Sequence, residues 1–275
     1  MVKPPQSSCK PSTCELACEL SWNHYVIKVL LNNFIRGWRV ILGVILSIVF
    51  MATNANSAPL DPASIRYKIK FKSSTFGNAT LGRVETKLSE TSDGYAIETL
   101  TKTQGMAAII IGSNYQESCE FQINDGLAIA KEYQGGRVGK TDYAVTYDRD
   151  SRKINFASGD TLDMPQGYVV DNCMFWFAAA LLREDGFTED APIYVVDGKS
   201  KRIRGYKLRS KDEEQIDTPL GSKRVVKLVL ERELRPNRTL TFWLSPDDKY
   251  LPLRIEESRK SRTTTFEIES FEPQT

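Results

Sequence analysis

Residues 65–72 read Ile65-Arg-Tyr-Lys-Ile-Lys-Phe-Lys72, four large apolar side chains alternating with four cations. A period of two sends one set of side chains into a core and the other into water, the signature of a half-buried antiparallel strand. The pattern returns at Cys119, Phe121 and Ile123, and at Tyr143, Val145 and Tyr147. It recurs at Val226, Leu228 and Leu230; Leu240, Phe242 and Leu244; Leu253 and Ile255; and Phe266 and Ile268. Between these runs stand turn sequences: Asp93-Gly94, Asn124-Asp125-Gly126, Gly135-Gly136, Pro219-Leu220-Gly221, Pro236-Asn237 and Pro246-Asp247-Asp248. The spacing predicts a meander of long strands. No alternation of strand and helix supports a nucleotide-binding α/β fold.

One segment departs from this period. Asp171 is a predicted N-cap, and Cys173–Leu182 follows without a polar residue. Met174, Phe177, Ala178, Leu181 and Leu182 form a helical stripe, with Phe175 and Trp176 off it. A helix apolar nearly all round has to be enclosed. The predicted architecture is therefore mainly β: a strongly curved antiparallel meander sheet, an open or partial barrel, packed around one apolar helix. A second apolar piece, Met106–Ile111, is placed near the same concavity. The charged stretch Arg183–Asp190 and Pro192 mark where the helix ends. With no linker, repeat or low-complexity tract, residues 58–275 read as a single β-rich domain.

Upstream, Val40–Ala52 is a charge-free apolar run of thirteen residues, preceded by Lys28, Arg36 and Arg39 and followed by a small polar stretch. This is the order of a secretory signal, assigned to residues 26–57 with cleavage after Ala55-x-Ser57. Thirteen residues fall short of the roughly 20 that span a bilayer; an uncleaved inner-membrane anchor, reaching back to Ile35, is the alternative. No cysteine follows the run closely, which excludes a lipoprotein signal. Residues 1–25 read as an unstructured leader, and a start at Val26 or Val29 would leave them untranslated. Cys9, Cys14 and Cys18 in that leader are not read as a metal cluster.

Exported residues 58–275 contain no histidine, since His24 is the only one in the chain. This removes Ser-His and Cys-His nucleophile pairs and nearly all ordinary zinc sites. Five of the 37 Lys and Arg and two of the 35 Asp and Glu precede residue 58, so the remainder carries a net charge of −1. A near-neutral chain does not fit a nucleic-acid partner. Cys119 and Cys173 remain, either paired or buried as thiols.

Asp160, Asp163 and Asp171 are the acids near the apolar helix, and they read as turn residues and a cap. Neither glycosidase carboxylates nor a calcium loop is apparent. No G-x-S-x-G elbow occurs. No catalytic residue, metal ligand or cofactor is assigned. Lys199–Arg209 holds six cations on a predicted strand. It would meet phosphate-bearing lipid or an acidic polymer, but a solvated strand whose charge discourages edge pairing is the favoured reading.

Thr218-Pro-Leu-Gly221, Thr241-Phe-Trp-Leu-Ser-Pro246 and Tyr250-Leu-Pro-Leu-Arg-Ile-Glu256 form an ordered set. With the opening strand and exported N-terminus, it resembles the bacterial envelope family known as domain of unknown function 3108. The resemblance implies a β-rich exported domain in a Gram-negative bacterium and brings no catalytic residues.

These readings converge on a non-enzymatic periplasmic protein holding a lipid or other apolar envelope component in the concave face of its sheet. Met106, Ile109, Ile110, Phe175 and Trp176 are the expected lining; if the cavity is closed by its own side chains, they are ordinary core. A structural or adaptor protein, binding another envelope protein through a sheet edge or through the outward Trp243, is the alternative. A histidine-free hydrolase comes third.

Overall fold

The alternation at residues 65–71 becomes strand β1, Ala63–Ser73, in a computed structural model that describes residues 61–75, 77–105, 114–182 and 191–274. The leader, the signal and its cleavage site, and the apolar piece Met106–Ile111 lie outside the described residues. Ile65, Tyr67 and Ile69 are buried while Arg66 and Lys70 stand in water, as a period of two requires.

The first half of the chain continues as β2 (Gly77–Thr91), β3 (Gly94–Thr103), β4 (Tyr115–Asn124), β5 (Leu127–Arg137), β6 (Tyr143–Asp148), β7 (Lys153–Phe156) and β8 (Thr161–Asp163). Next come β9 (Tyr168–Asp171), helix α1 (Phe175–Leu182) and β10 (Ile193–Asp197). The second half is β11 (Arg202–Thr218), β12 (Gly221–Arg232), β13 (Arg238–Ser245), β14 (Leu251–Arg259) and β15 (Arg262–Pro273). All fifteen strands form one sheet, ordered β8-β7-β6-β5-β4-β3-β2-β1-β15-β14-β13-β12-β11-β10-β9. First and last strands pair at its centre, so two meanders run outward from the β1–β15 seam. The sheet is curved but not closed, and its edges, β8 and β9, are consecutive in the chain.

Register shifts bend it at Arg66/Tyr67, Ile69/Lys70, Glu120/Phe121, Leu208/Ser210 and Trp243/Leu244. Each leaves an extra residue on one strand and sharpens the local twist. Helix α1 occupies the concavity and packs against β5, β9 and β14. The predicted curved sheet around an apolar helix is what the chain forms.

Two local expectations are corrected. Gly135-Gly136 is not a turn: both glycines lie inside β5, buried, and the chain reverses after Arg137 instead. A Cβ on Gly135 would overlap the ring of Tyr143, whose strand pairs with it there. These glycines permit close approach, a role that glycine within a strand often has. The sheet is also not antiparallel throughout, since β9 and β10 pair in parallel, joined by the helix. A single βαβ crossover of this kind leaves no repeating signal in the sequence. At Asp125-Gly126 the turn reading is correct: both residues have positive φ, 50° and 78°, between the paired Asn124 and Leu127. That is the conformation a two-residue hairpin favours.

Candidate functional site

Helix α1 begins where a buried carboxylate, a disulfide and a strand edge meet. Oδ1 of Asp171 accepts the backbone N–H groups of Cys173, at 2.9 Å, and Met174, at 2.8 Å. That is the predicted cap, satisfying donors the helix start leaves unpaired. The carboxyl is fully buried and its Oδ2 has no partner. Burial pushes its pKa up to about 7, with the Glu117 charge adding to the rise and the two capping bonds opposing it.

Cys173 is disulfide-bonded to Cys119 of β4, with Cα atoms 6.1 Å apart. Of the two thiol states open to these cysteines, the structure holds the paired one. Asp171 lies against the same sulfurs, which as a disulfide offer no thiolate to a metal ion. Edge strand β9 is held from the other side. The Tyr168 hydroxyl accepts the Ala128 N–H at 3.1 Å and donates to the Ala128 carbonyl at 2.9 Å, tying β9 to β5.

The expected lining residues of the helix separate here. Phe175 is 3% exposed, its ring 5.7 Å from that of Tyr206 on β11 and 5.5 Å from that of Phe242 on β13. Trp176 is half-buried, 5.4 Å from Tyr67 on β1 and 4.9 Å from Phe266 on β15. The Tyr67 hydroxyl donates to the Pro252 carbonyl at 2.9 Å, which settles its polar end within the core. The concave face thus offers an aromatic floor of Tyr67, Tyr206, Phe242 and Phe266. Tyr206 was missed in the sequence because it sits inside a charged run. Met106, Ile109 and Ile110 lie outside the described residues.

A polar cluster closes another part of the interior. Glu117 Oε1 accepts the hydroxyls of Tyr133 and Tyr143, at 2.5 and 2.7 Å. The two rings meet edge to face at 5.3 Å, and a Cβ on Gly198 would run into both. Burial drives both hydroxyls well above their ordinary pKa, so they stay donors to the carboxylate. With Gly198 packed on the rings, the cluster acts as a lock between β4–β6 and the β10–β11 turn.

Trp243 is not the exposed contact that its outward phase predicts. The indole does face outward, but it is 7% exposed. Lys227 and Arg254 lie over its ring, 5.6 and 5.5 Å from the centroid, and its Nε1–H donates to Glu214. Long cationic side chains have covered it with their stems. Asp160 and Asp163 are exposed and paired with Lys201 and, at 2.6 Å, with Lys153; they do not converge on a cleft. A concavity of about 690 Å³ crosses the polar face of the sheet, lined by residues such as Arg66, Glu85, Lys87, Glu98 and Gln134. It carries both signs of charge, with Arg66 and Glu85 3.9 Å apart, and reads as solvated surface.

The family model described as "Protein of unknown function (DUF3108)" matches residues 66–267. No curated protein matches the chain. Among solved structures, a beta-barrel-like protein of domain of unknown function DUF1849 from Brucella abortus is 11% identical. It covers 79% of this chain and 99% of its own, with a TM-score of 0.52. A protein with YmcC-like fold from Bacteroides fragilis is 9% identical (78% and 97% covered, TM-score 0.32). A DUF1329 family protein from Desulfovibrio piger is 6% identical (80% and 88% covered, TM-score 0.28). At such identities the first similarity speaks to fold alone, and the other two are too distant in shape to add to it.

Proposed function

The chain belongs to the DUF3108 family of proteins of unknown function, and on that premise we propose that it is a non-enzymatic, exported envelope protein that holds a lipid or other apolar component against the concave face of its sheet. One observation carries this reading. Helix α1 has no polar side chain along its length and rests on an aromatic floor, with Trp176 only partly covered. Directional bonds fix the start of the helix, and apolar contact does the rest; such contact is exchangeable for an acyl chain. Phe175 and Trp176, with Met106, Ile109 and Ile110, are the proposed lining.

Two further observations support the choice. Among the described residues, the carboxylates near the helix are capping, paired or hydrogen-bonded to tyrosines, an arrangement that favours a structural role over acid–base work. The adaptor reading loses its two surfaces. Trp243 is covered, edge β9 is tied to β5, and edge β8 is three residues long with a charged end. Short, charged edges resist strand addition.

Native mass spectrometry of the protein purified from the periplasm, followed by organic extraction, tests the proposal. The expected result is a stoichiometric lipid adduct that disappears in a folded Trp176→Asp variant. A clean apo mass, unchanged after incubation with envelope lipids, would sink it.

A further inference from the structure

The inward rows of five neighbouring strands end in arginine. Arg204 precedes Tyr206 by two residues on β11, and Arg232 follows buried Leu230 by two on β12. Arg238 precedes Phe242 by four on β13, Arg259 follows Ile255 by four on β14, and Arg262 precedes Phe266 by four on β15. Even spacing keeps each on the face of its buried neighbour. Register aligns them across the sheet: Tyr206 opposite Arg232, Arg238 opposite Arg259, and Arg259 opposite Arg262. Arg235 joins from the β12–β13 loop, its N–H bonded to the Arg232 carbonyl at 3.1 Å.

Little neutralises this rim. Arg204 pairs with Asp197, yet its Nε is buried without a partner. Among the described residues, no carboxylate comes within ion-pair distance of Arg232, Arg238, Arg259 or Arg262. Glu257 shares the inward phase of β14, opposite Leu240 and Thr264. Glu231 and Glu233, in and just beyond β12, are engaged by Arg209 at 3.7 Å and Lys207 at 3.6 Å. Burial holds the Arg232 guanidinium below its ordinary pKa; Tyr206 opposes this, and Arg204, Arg238 and Arg235 press in the same direction. Guanidinium groups gathered without counter-charge are unfavourable in the free protein. An arriving anion relieves that repulsion, and guanidinium pairs match phosphate oxygens bidentately.

Along the same rows, the next aromatic side chains inward are Tyr206, Phe242 and Phe266, the floor beneath Phe175 and Trp176, with Leu240 between Arg238 and Phe242. About 13 Å separates Phe242 from Arg238 along β13, at ~3.3 Å per residue. We propose that the ligand is an anionic amphiphile, its acyl chain on the aromatic floor and its phosphate held by Arg232, Arg238, Arg259 and Arg262. This inference rests on the apolar-ligand reading above and names the head group.

The test titrates the full-length protein with three probes, read by native mass spectrometry and Trp fluorescence: lysophosphatidylglycerol, the monoacylglycerol of the same chain, and inorganic phosphate. Wild type is expected to prefer the phospholipid by about tenfold or more, since charge-assisted bonds are the strong ones, and to lose that preference as salt rises. Arg259 and Arg262 are exposed at strand ends, so Arg259→Glu/Arg262→Glu should fold; it is expected to lose the preference while keeping its monoacylglycerol affinity. Should that pair fail to fold, Arg259→Gln/Arg262→Gln serves instead. Equal affinity of wild type for both lipids, or a preference surviving in the variants, overturns the head-group assignment and leaves the apolar site standing. If neither lipid binds, the apolar site itself falls and this inference with it. Inorganic phosphate binding as tightly as the phospholipid would assign the rim to a free anion and overturn the amphiphile.

Discussion

Replacing Asp171 with asparagine isolates the energy of the one buried carboxyl at the helix start. Asparagine keeps an Oδ1 acceptor for the Cys173 and Met174 N–H groups and removes the titration. In the folded wild type, burial raises the Asp171 pKa to about 7 from a reference of 3.8. Between those values the unfolded chain has released a proton that the folded chain still holds. Stability associated with this group is therefore full below about pH 4, falls as pH rises, and is gone above about pH 7. Three pKa units at 1.36 kcal/mol each correspond to about 4 kcal/mol, with no screening discount for a fully buried group. Charges facing the site are few: Glu117 reinforces the shift, and Tyr147, buried and raised well above its ordinary pKa, remains neutral. In Asp171→Asn the amide donors occupy the place of Oδ2, unpartnered as the protonated carboxyl is. The variant should thus start within ~1–3 kcal/mol of wild type at pH 4 and gain on it by about 4 kcal/mol by pH 8. Urea unfolding of the oxidised proteins at both pH values measures this. With a slope near 3 kcal/mol per molar, the relative midpoint should move by about 1 M in favour of asparagine. A difference between the two proteins that does not change with pH, or that favours wild type at pH 8, would show that Asp171 is ionised in the fold at little cost.

Reducing the Cys119–Cys173 bridge, or replacing Cys173 with serine, opens a link across 54 residues. Loop-closure entropy sets the loss at about 4 kcal/mol, and unfolding midpoints with and without reductant check it. Gly135→Ala drives a Cβ into the Tyr143 ring; we expect a loss of ~1–3 kcal/mol by thermal or urea unfolding. Phe242→Ala removes a fully buried ring from beneath Phe175 and should lower stability by ~3–5 kcal/mol. Unfolding titrations of the purified variant measure that loss directly. Trp243→Ala should likewise be read out as lost stability, because the indole is already engaged by Lys227, Arg254 and Glu214.

The sheet was legible because period two is a direct image of its two faces, and Ile65, Tyr67 and Ile69 needed no partner to announce theirs. Helix α1 was legible for the opposite reason: a run without a polar residue has to be enclosed. What escaped was whatever depends on how one strand pairs with its neighbours. Gly135 looks like a turn until Tyr143 is placed across from it. Trp243 looks exposed until Lys227 and Arg254 close over it from the neighbouring strands. The arginine rim was readable in principle, since each inward row runs on into an arginine. Its meaning lies in the register that lines up Arg238, Arg259 and Arg262, and no single strand displays that. The parallel β9–β10 pair follows from the crossover through α1, for which one short apolar helix gave no hint.

The two faces of the sheet are held by different kinds of force, and this difference favours a carrier over a scaffold. On the outer face Glu214, Lys227, Trp243, Arg254, Glu267 and Lys70 interlock across six neighbouring strands, with Lys227 3.5 Å from Glu214 and Arg254 3.3 Å from Glu267. These contacts are directional, and moving one strand past another would break several together. Inside, the described contacts tie the helix by direction at its start, through Asp171 and Cys173, while Phe175 and Trp176 rest on apolar contact. That contact is proportional to area and indifferent to what supplies it. At about 0.8 kcal/mol per buried methylene, an acyl chain of a dozen carbons brings on the order of 10 kcal/mol of gross contact to the same floor. The helix offers contact of the same kind, so the exchange is set by the apolar surface each leaves exposed. On the carrier reading proposed above, a directional outer lattice would let the sheet keep its curvature while an apolar filling exchanged.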